Sequence, residues 1–212
     1  IHADIVEDFD LIQGPLIRFT LFRTDENRHT LVISAHHIVV DGWSMGVLLA
    51  DLAGYYGAAC RSERFGEPSP HSLTTFLADE TRYLGSEEYR ETEAFWVAQY
   101  SGAIPKSLDL PLDRSRPETK SYVGQRQSFR FDPELVGRLR EFGGENKVTL
   151  FTTLYSAFSV LMTELTGQED VVVGVPMAGQ AAAGHWNLVG HAVNFLPLRT
   201  RVNLNRNFQD IL

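Results

Sequence analysis

The sequence predicts an α/β fold built as two lobes, and three observations predict it. Two strand-like runs in the first 36 residues lead through a short loop into a segment with helical periodicity. A stretch from Ile104 to Val123, punctuated by Pro105, Pro111 and Pro117, reads as extended chain crossing from one lobe to the other, because proline fixes φ and disfavours helix in the residue before it. Beyond that stretch strands and helices mix again. The expected boundaries are therefore 1–103 for the part in the first lobe, 104–123 for the crossing and 124–212 for the part in the second.

Leu16-Ile17-Arg18-Phe19-Thr20-Leu21-Phe22-Arg23 is rich in apolar and β-branched residues and predicts a strand; Leu31-Val32-Ile33-Ser34-Ala35-His36 predicts a second. The five polar residues Thr24-Asp25-Glu26-Asn27-Arg28 between them predict a hairpin loop. Asp41-Gly42 is a turn pair, after which Met45, Leu48, Leu49, Leu52, Tyr55, Tyr56 and Ala59 recur at helical spacing. Residues 61–71 are a polar connection, and helices are expected near 73–84 and 87–100. Past the crossing, the alternation in Gln125–Phe131 predicts a strand. Asp132 followed by Pro133 is a helix start, with the end near Gly143-Gly144. Thr149 caps the next helix, which runs to about Leu165 with Gly167 just past its end. Its large apolar residues cover most of the circumference, which predicts a buried helix. Asp170–Val175 reads as a buried strand ended by Pro176, and 178–190 as a Gly/Ala-rich loop. Val193–Leu196 begins a strand that Pro197 confines to an edge or bulge, and Asn207–Leu212 reads as the start of a helix.

The 212 residues carry 19 Lys and Arg against 27 Asp and Glu, a net charge of −8, with 43% hydrophobic residues. That composition supports an ordinary core and excludes wholesale disorder. An acidic balance without a Lys/Arg cluster argues against nucleic acid as a partner. No apolar run reaches the length of a bilayer span, so no membrane partner is expected. Cys60 is the single cysteine and cannot form an internal disulfide, which fits a reducing, cytoplasmic setting; nothing nearby makes it a nucleophile. Asp4, Glu7, Asp8 and Asp10 crowd the place where a signal peptide needs an apolar region, and the chain opens at Ile1, so it is expected to be an excerpt of a longer protein.

His36-His37-Ile38-Val39-Val40-Asp41-Gly42 is the outstanding chemical feature, set between a strand end and a helix start. Histidine exchanges protons near neutral pH, and a nearby carboxylate can fix its tautomer or hold the loop in shape. Backbone N–H groups at Gly42 and the helix start can face developing negative charge. The plain alternative is one packed and one exposed histidine without catalysis. A metal centre is disfavoured, because neighbours on a strand point to opposite faces and no further His or Cys stands at a useful spacing; the expected metal set is none. His2, His29 and His71 lack sequence partners and read as surface residues, as do His185 and Trp186 in their loop. Gly179–Gly184 is not a phosphate loop, since no Lys-Ser/Thr follows, and Glu87, Glu88, Glu91 and Glu93 read as a solvated helix face.

Extended to Trp43-Ser44, the histidine motif closely resembles the HHxxxDGxS core of condensation domains of nonribosomal peptide synthetases. Leu188-Val189-Gly190-His191-Ala192-Val193-Asn194-Phe195-Leu196-Pro197-Leu198-Arg199 is similar to a later motif of that family. Phe9–Arg18, Thr149–Leu154 and Thr166–Gly174 resemble it too, and the likeness covers essentially the whole chain in order. It implies the two-lobed α/β fold of the chloramphenicol-acetyltransferase-like superfamily, in a domain roughly twice this length, so that the chain is an incomplete excerpt spanning parts of both lobes. The excerpt would hold the second part of the N-terminal lobe and the first part of the C-terminal lobe, and it shows no adenylation or carrier-serine motif.

The resemblance also implies an activity. The family joins a donor acyl or peptidyl thioester to an acceptor aminoacyl thioester, both carried on phosphopantetheine arms of carrier proteins, and the domain itself binds no cofactor. The implied partners are an upstream donor and a downstream acceptor carrier protein, with linked adenylation and carrier domains. His37 would accept the proton of the attacking amine or orient that amine, with His36 beside it. Asp41 would be structural, paired with an arginine, either Arg18 or one upstream of Ile1, and Gly42 would allow the turn and present its N–H. Trp43 and Ser44 would begin the helix and border the substrate channel, although core packing accounts for Trp43 equally well. Asn194 would hydrogen-bond across the lobe junction or satisfy buried backbone near the channel. His191 departs from the aromatic or small residue expected there and either modifies the pocket or is packed or solvated. The alternatives are an ester-forming acyltransferase of the same superfamily and a catalytically silent module that docks carrier proteins or recruits a tailoring enzyme, whose usual mark is a damaged histidine core. A heterocyclisation domain is disfavoured, since paired aspartates replace the two histidines there, and an epimerisation domain shows a different second motif.

Overall fold

The structure is a computed structural model, and it describes residues 7–66, 71–103, 105–119, 121 and 123–212. The order of elements is β1 (Ile17–Asp25), β2 (Arg28–Ala35), α1 (Gly42–Cys60), α2 (Leu73–Leu84), α3 (Glu87–Gln99), α4 (Pro133–Glu145), α5 (Leu150–Thr166), β3 (Asp170–Ala178), a single turn α6 (Gly179–Ala182), β4 (Val193–Arg201) and a 3-10 turn at Phe208–Asp210. The mixture is the α/β class expected. The described residues fall into two compact units, one containing the chain up to Phe95 together with Pro176–Leu196, the other containing Trp96–Val175 and Pro197–Leu212. No single helix among the described residues is long and apolar enough to cross a membrane.

In the first unit β1 and β2 pair antiparallel with Ile17 opposite Ala35, Phe19 opposite Ile33 and Leu21 opposite Leu31. The predicted five-residue loop is shorter than expected. The strands continue through the polar residues, Asp25 pairs with Arg28 after a register shift past Thr24, and only Glu26 and Asn27 lie between the strands. Side chains close this turn: the Thr24 hydroxyl donates to the Arg28 carbonyl at 3.0 Å, and Asp25 Oδ1 accepts the Glu26 N–H at 2.8 Å. Polarity here marks a bulged hairpin end rather than a loop. Each of α1 and α2 begins at a side-chain cap, Asp41 accepting from the Ser44 N–H and Ser72 from the Thr74 N–H. Cys60 is the exposed last residue of α1. Phe76 of α2 packs with Leu188 and Ala192 in a small apolar cluster.

In the second unit Asp132 accepts the Glu134 N–H at 2.7 Å to start α4, and Thr149 accepts the Thr152 N–H at 3.1 Å to start α5. Gly167 ends α5 at φ 69°, a left-handed conformation that glycine adopts without strain. Gly143 allows α4 to approach α5, since a Cβ there would lie 3.0 Å from Thr153 Oγ1.

Two expectations are corrected in this unit. Gln125–Phe131 is not a strand: alternation supplies two faces, but this segment finds no partner among the described residues, and Phe129 is 79% exposed. The second concerns α5, which buries the other side of its surface. Thr153, Ser156, Ser159, Met162 and Thr163 are buried, while Phe151, Leu154, Phe158, Leu161 and Leu165 are exposed. Small hydroxyl residues suit a buried stripe because they bond back one turn, as Ser159 does to the Tyr155 carbonyl and Thr153 to the Thr149 carbonyl.

β3 and β4 form a two-stranded sheet, antiparallel by the bonds at its ends: Gly179 N–H to Ala192 C=O at 2.8 Å and Val202 N–H to Glu169 C=O at 2.7 Å. Pro176 does not end β3. It lies three residues before Gly179, and Pro197 five before Val202, so in an unbroken alternation each occupies a position whose N–H points away from the partner strand. Arg199 on β4 makes a bidentate pair with Asp170, Nε to Oδ1 at 2.9 Å and Nη2 to Oδ2 at 2.6 Å, and donates to the carbonyls of Gln99 and Ala103. These hydrogen bonds from Arg199 hold the Asp170 carboxyl below its ordinary range.

Candidate active site

All the residues of the histidine motif lie in the first unit, and the segment 176–196 is folded with them. β2 stops at Ala35, and the His36 N–H still reaches the Leu16 carbonyl at 2.9 Å. The chain then turns: Val39 N–H bonds the His36 carbonyl at 3.1 Å, and His36 Nδ1 accepts the Ile38 N–H at 3.1 Å. An acceptor at Nδ1 makes neutral His36 the Nε2–H tautomer. Its ring also stands edge-on to Phe9, so His36 fastens the loop. His37, next in the chain, is exposed.

Asp41 is 4% exposed. Its Oδ1 accepts the Ser44 N–H at 2.8 Å and its Oδ2 the Ala192 N–H at 3.1 Å, while Gln180 Nε2 donates to both oxygens at 3.1 and 2.9 Å. Burial pushes this carboxyl up, and the hydrogen bonds from Ser44, Gln180 and Ala192 outweigh it, leaving Asp41 below its ordinary value. The carboxylate holds two backbone N–H groups and one amide side chain, and Arg18, one of the two candidate arginines, does not pair with it. The Arg18 guanidinium donates to the carbonyls of Glu7 and Asp8 and lies 4.1 Å over the Phe9 ring. Gln180 occupies the place on Asp41, wholly buried itself.

Ser44 is also wholly buried, and its hydroxyl donates to the Gly190 carbonyl at 2.6 Å and accepts the Gly190 N–H at 3.0 Å. This corrects its expected place on a channel wall. Ser44 and Asp41 together tie the first turn of α1 to the chain on either side of His191. The result is a contact between imidazoles: His37 Nδ1 lies 3.2 Å from His191 Nδ1, the ring centroids 5.1 Å apart and the planes at 77°. Trp43, 38% exposed, donates from Nε1 to the Trp186 carbonyl at 2.9 Å, so it is anchored at one edge rather than packed as core.

His37, Asp41, Gly42, Trp43, Pro176, Ala178, His191, Val193 and Phe195 line an open cavity of about 630 Å³. Neither backbone conformation nor crowding requires glycine at Gly42: its φ is not left-handed, and a Cβ would meet nothing within 4 Å. Asn194 is exposed, with its amide nitrogen 3.8 Å from where a Gly179 Cβ would stand. His185 is not a surface residue. It is buried, Nε2 is 2.9 Å from Asp79 Oδ2, and its ring meets His71 and Phe76 edge-on. His71 is half-buried against it, His29 is exposed as expected, and His2 lies outside the described residues. Sequence reasoning missed Gln180 and the backbone of Gly190 and Ala192; the signal for Gln180 was one amide side chain in a run of Gly and Ala.

Gly179 sets the closeness of this frame. A Cβ there would lie 2.5 Å from the Ala192 carbonyl oxygen, a backbone atom that Asp41 and β4 hold in place. Gly179→Ala is expected to destabilise the domain by about 1–3 kcal/mol, as overpacking does, read as a lowered midpoint in urea.

Comparison with known proteins gives this arrangement a family. The family model for the Condensation domain matches residues 1–212. The chain belongs to the condensation domain family. It is 37% identical over 207 residues to tyrocidine synthase 3 of Brevibacillus parabrevis, covering 98% of this chain and 3% of that protein. Among solved structures it is similar to the first condensation domain of the CDA synthetase, at 25% identity and a TM-score of 0.74, covering 92% of this chain and 43% of that one. It is also similar to the X-domain from teicoplanin biosynthesis solved in complex with OxyB, at 27% identity and a TM-score of 0.78, covering 99% of this chain and 47% of that one. The fold of these condensation domain relatives is the chloramphenicol-acetyltransferase-like α/β fold expected from the motifs, and this chain spans less than half of each solved domain.

Proposed function

We propose that this condensation domain chain carries the reaction centre for amide-bond formation between a donor acyl or peptidyl thioester and an acceptor aminoacyl thioester, with His37 as the proton-handling residue. The observation that carries the reading is the division of labour in the loop. His36 and Asp41 are engaged in holding backbone, whereas His37 is exposed on an open cavity. In the proposed step the acceptor amine attacks the thioester carbonyl, the new C–N bond forms and the C–S bond breaks. His37 takes the proton from the amine and returns it to the departing thiolate, leaving a free phosphopantetheine thiol on the donor carrier. A thioester is already activated, so positioning two arms and managing one proton suffices. The first-turn N–H groups of α1 at Gly42 and Trp43 have no intrahelical acceptors and suit the carbonyl oxygen as it gains charge. The partners are carrier proteins and, in the same synthetase, adenylation domains; the acyl groups arrive on carrier arms and the domain needs no cofactor of its own. A cytoplasmic setting goes with this reading.

A second reading, a silent module that recruits another enzyme, is favoured by the likeness to the X-domain solved in complex with OxyB. The intact His36, His37, Asp41 and Gly42 speak for chemistry. The deciding experiment is a single turnover by the complete condensation domain containing these residues, with its neighbouring carrier proteins loaded with donor and acceptor and the products followed by mass spectrometry. Amide is expected. An ester with a hydroxyl acceptor would move the reading to the ester-forming class, and no product from folded protein with verified loading would move it to recruitment.

A further inference from the structure

We propose that His191 is a positioning residue for His37: its Nδ1 accepts the N–H of His37 Nδ1, fixing His37 as the Nδ1–H tautomer and leaving the Nε2 lone pair for the acceptor amine. This deepens the reading of His37 given above and rests on it.

The geometry allows two arrangements only. A bond between two Nδ1 atoms 3.2 Å apart contains one proton, on one ring or the other. If His191 donated, neutral His37 would carry its proton at Nε2 and have no lone pair left for the amine. If His37 donates, Nε2 is the free base. Only the second arrangement survives the whole step, because His37 keeps its Nδ1–H when Nε2 becomes protonated and the bond to His191 then becomes charge-assisted.

The setting assigns the acceptor role to His191 for two further reasons. Asp41 is the one carboxylate lining the cavity among the described residues, and both its oxygens are taken by Ser44, Gln180 and Ala192. His191 is also held from both sides. Gly190 before it exchanges two hydrogen bonds with the Ser44 hydroxyl, and Ala192 after it bonds Asp41 through its N–H and Gly179 through its carbonyl. The loop that presents His37 and the strand entry that presents His191 are thus one hydrogen-bonded frame.

The test uses the complete condensation domain with loaded carriers. His191→Leu is expected to slow the single-turnover rate at saturating carrier by about 10- to 100-fold, up to the lower end of what a positioned base contributes, without raising the half-saturating carrier concentration. His191→Gln, which keeps an acceptor oxygen and does not titrate, is expected to restore most of that rate. Rate restored by His191→Gln and not by His191→Leu separates an acceptor for the His37 N–H from a role in packing alone. Nitrogen-15 NMR of the wild-type imidazoles is expected to find His37 as the Nδ1–H tautomer. A wild-type rate in His191→Leu, or His37 found as the Nε2–H tautomer, overturns the proposal while leaving the amide-forming reading standing. Absence of amide from the wild type sinks that reading instead, and the NMR tautomer still decides the pairing.

Discussion

Replacing His37 by alanine is expected to lower the single-turnover rate of amide formation by about 10²- to 10⁴-fold, the range a positioned general base contributes. The loss should fall on the rate and not on carrier binding, because among the described residues the His37 side chain bonds one group, the His191 imidazole. For the same reason the variant should fold. The hydrogen bonds that close the loop belong to His36, Asp41 and Ser44, and none of them uses the His37 side chain. Residual product is expected, since a thioester reacts slowly with a well-placed amine even without a base. His36→Ala makes the useful contrast. It removes the acceptor for the Ile38 N–H and the edge contact to Phe9, so its effect should appear in stability as well as rate. Full rate in His37→Ala would demote His37 to a bystander whatever its position in the motif.

What the sequence made legible was local. The starts of α4 and α5 and the end of α5 followed from Asp132-Pro133, Thr149 and Gly167, because a cap is a bond between residues two or three positions apart and a left-handed end needs only one glycine. The hairpin existed where expected, but its end was misjudged, because Thr24 and Asp25 spend their polarity on the turn itself. What depends on distant chain was hidden. Gln125–Phe131 alternates like a strand yet lacks a partner among the described residues, and α5 has apolar residues on most sides while tertiary packing selects the hydroxyl stripe for burial. The site divides in the same way. His36, His37, Asp41 and Gly42 were recognisable as a motif, and the motif's place between strand and helix was readable. Gln180 as the partner of Asp41, and His191 against His37, are contacts over 139 and 154 residues, and no spacing rule reaches that far. Composition misled as well as hid. His185 in a Gly/Ala-rich loop read as a surface residue, and its burial against Asp79 depends on α2 lying alongside.

Asp41→Ala is expected to be the most damaging substitution for structure. It strands three donors in a buried place: the Ser44 N–H, the Gln180 side-chain amide and the Ala192 N–H. Each unpartnered buried group costs about 1–3 kcal/mol, so the local loss is about 3 kcal/mol or more even if water enters from the cavity. At about 1.4 kcal/mol per tenfold, the Ser44 and Ala192 amide protons should exchange with solvent at least roughly 100-fold faster, while the amides within α5 of the other unit stay unchanged. Asp41→Asn should be milder, because the Gln180 amide carries a buried Oε1 without a partner and can turn that oxygen to the new NH₂. The carboxylate also gives this frame a pH dependence of definite sign. Asp41 titrates below its ordinary value of 3.8 when folded, so the unfolded chain binds the proton more readily. Its stabilising contribution is therefore complete above that value and lost as pH falls through the lower, folded one. Slowed exchange at Ser44 and Ala192 in the wild type, relative to Asp41→Asn, should be constant at neutral pH and disappear only in acid below 3.8. Equal exchange in wild type and Asp41→Ala would mean that Ser44 and its two bonds to Gly190 hold the frame alone. The helix cap would then be a passenger, and the coupling between the His37 loop and the His191 strand entry would rest on a single hydroxyl.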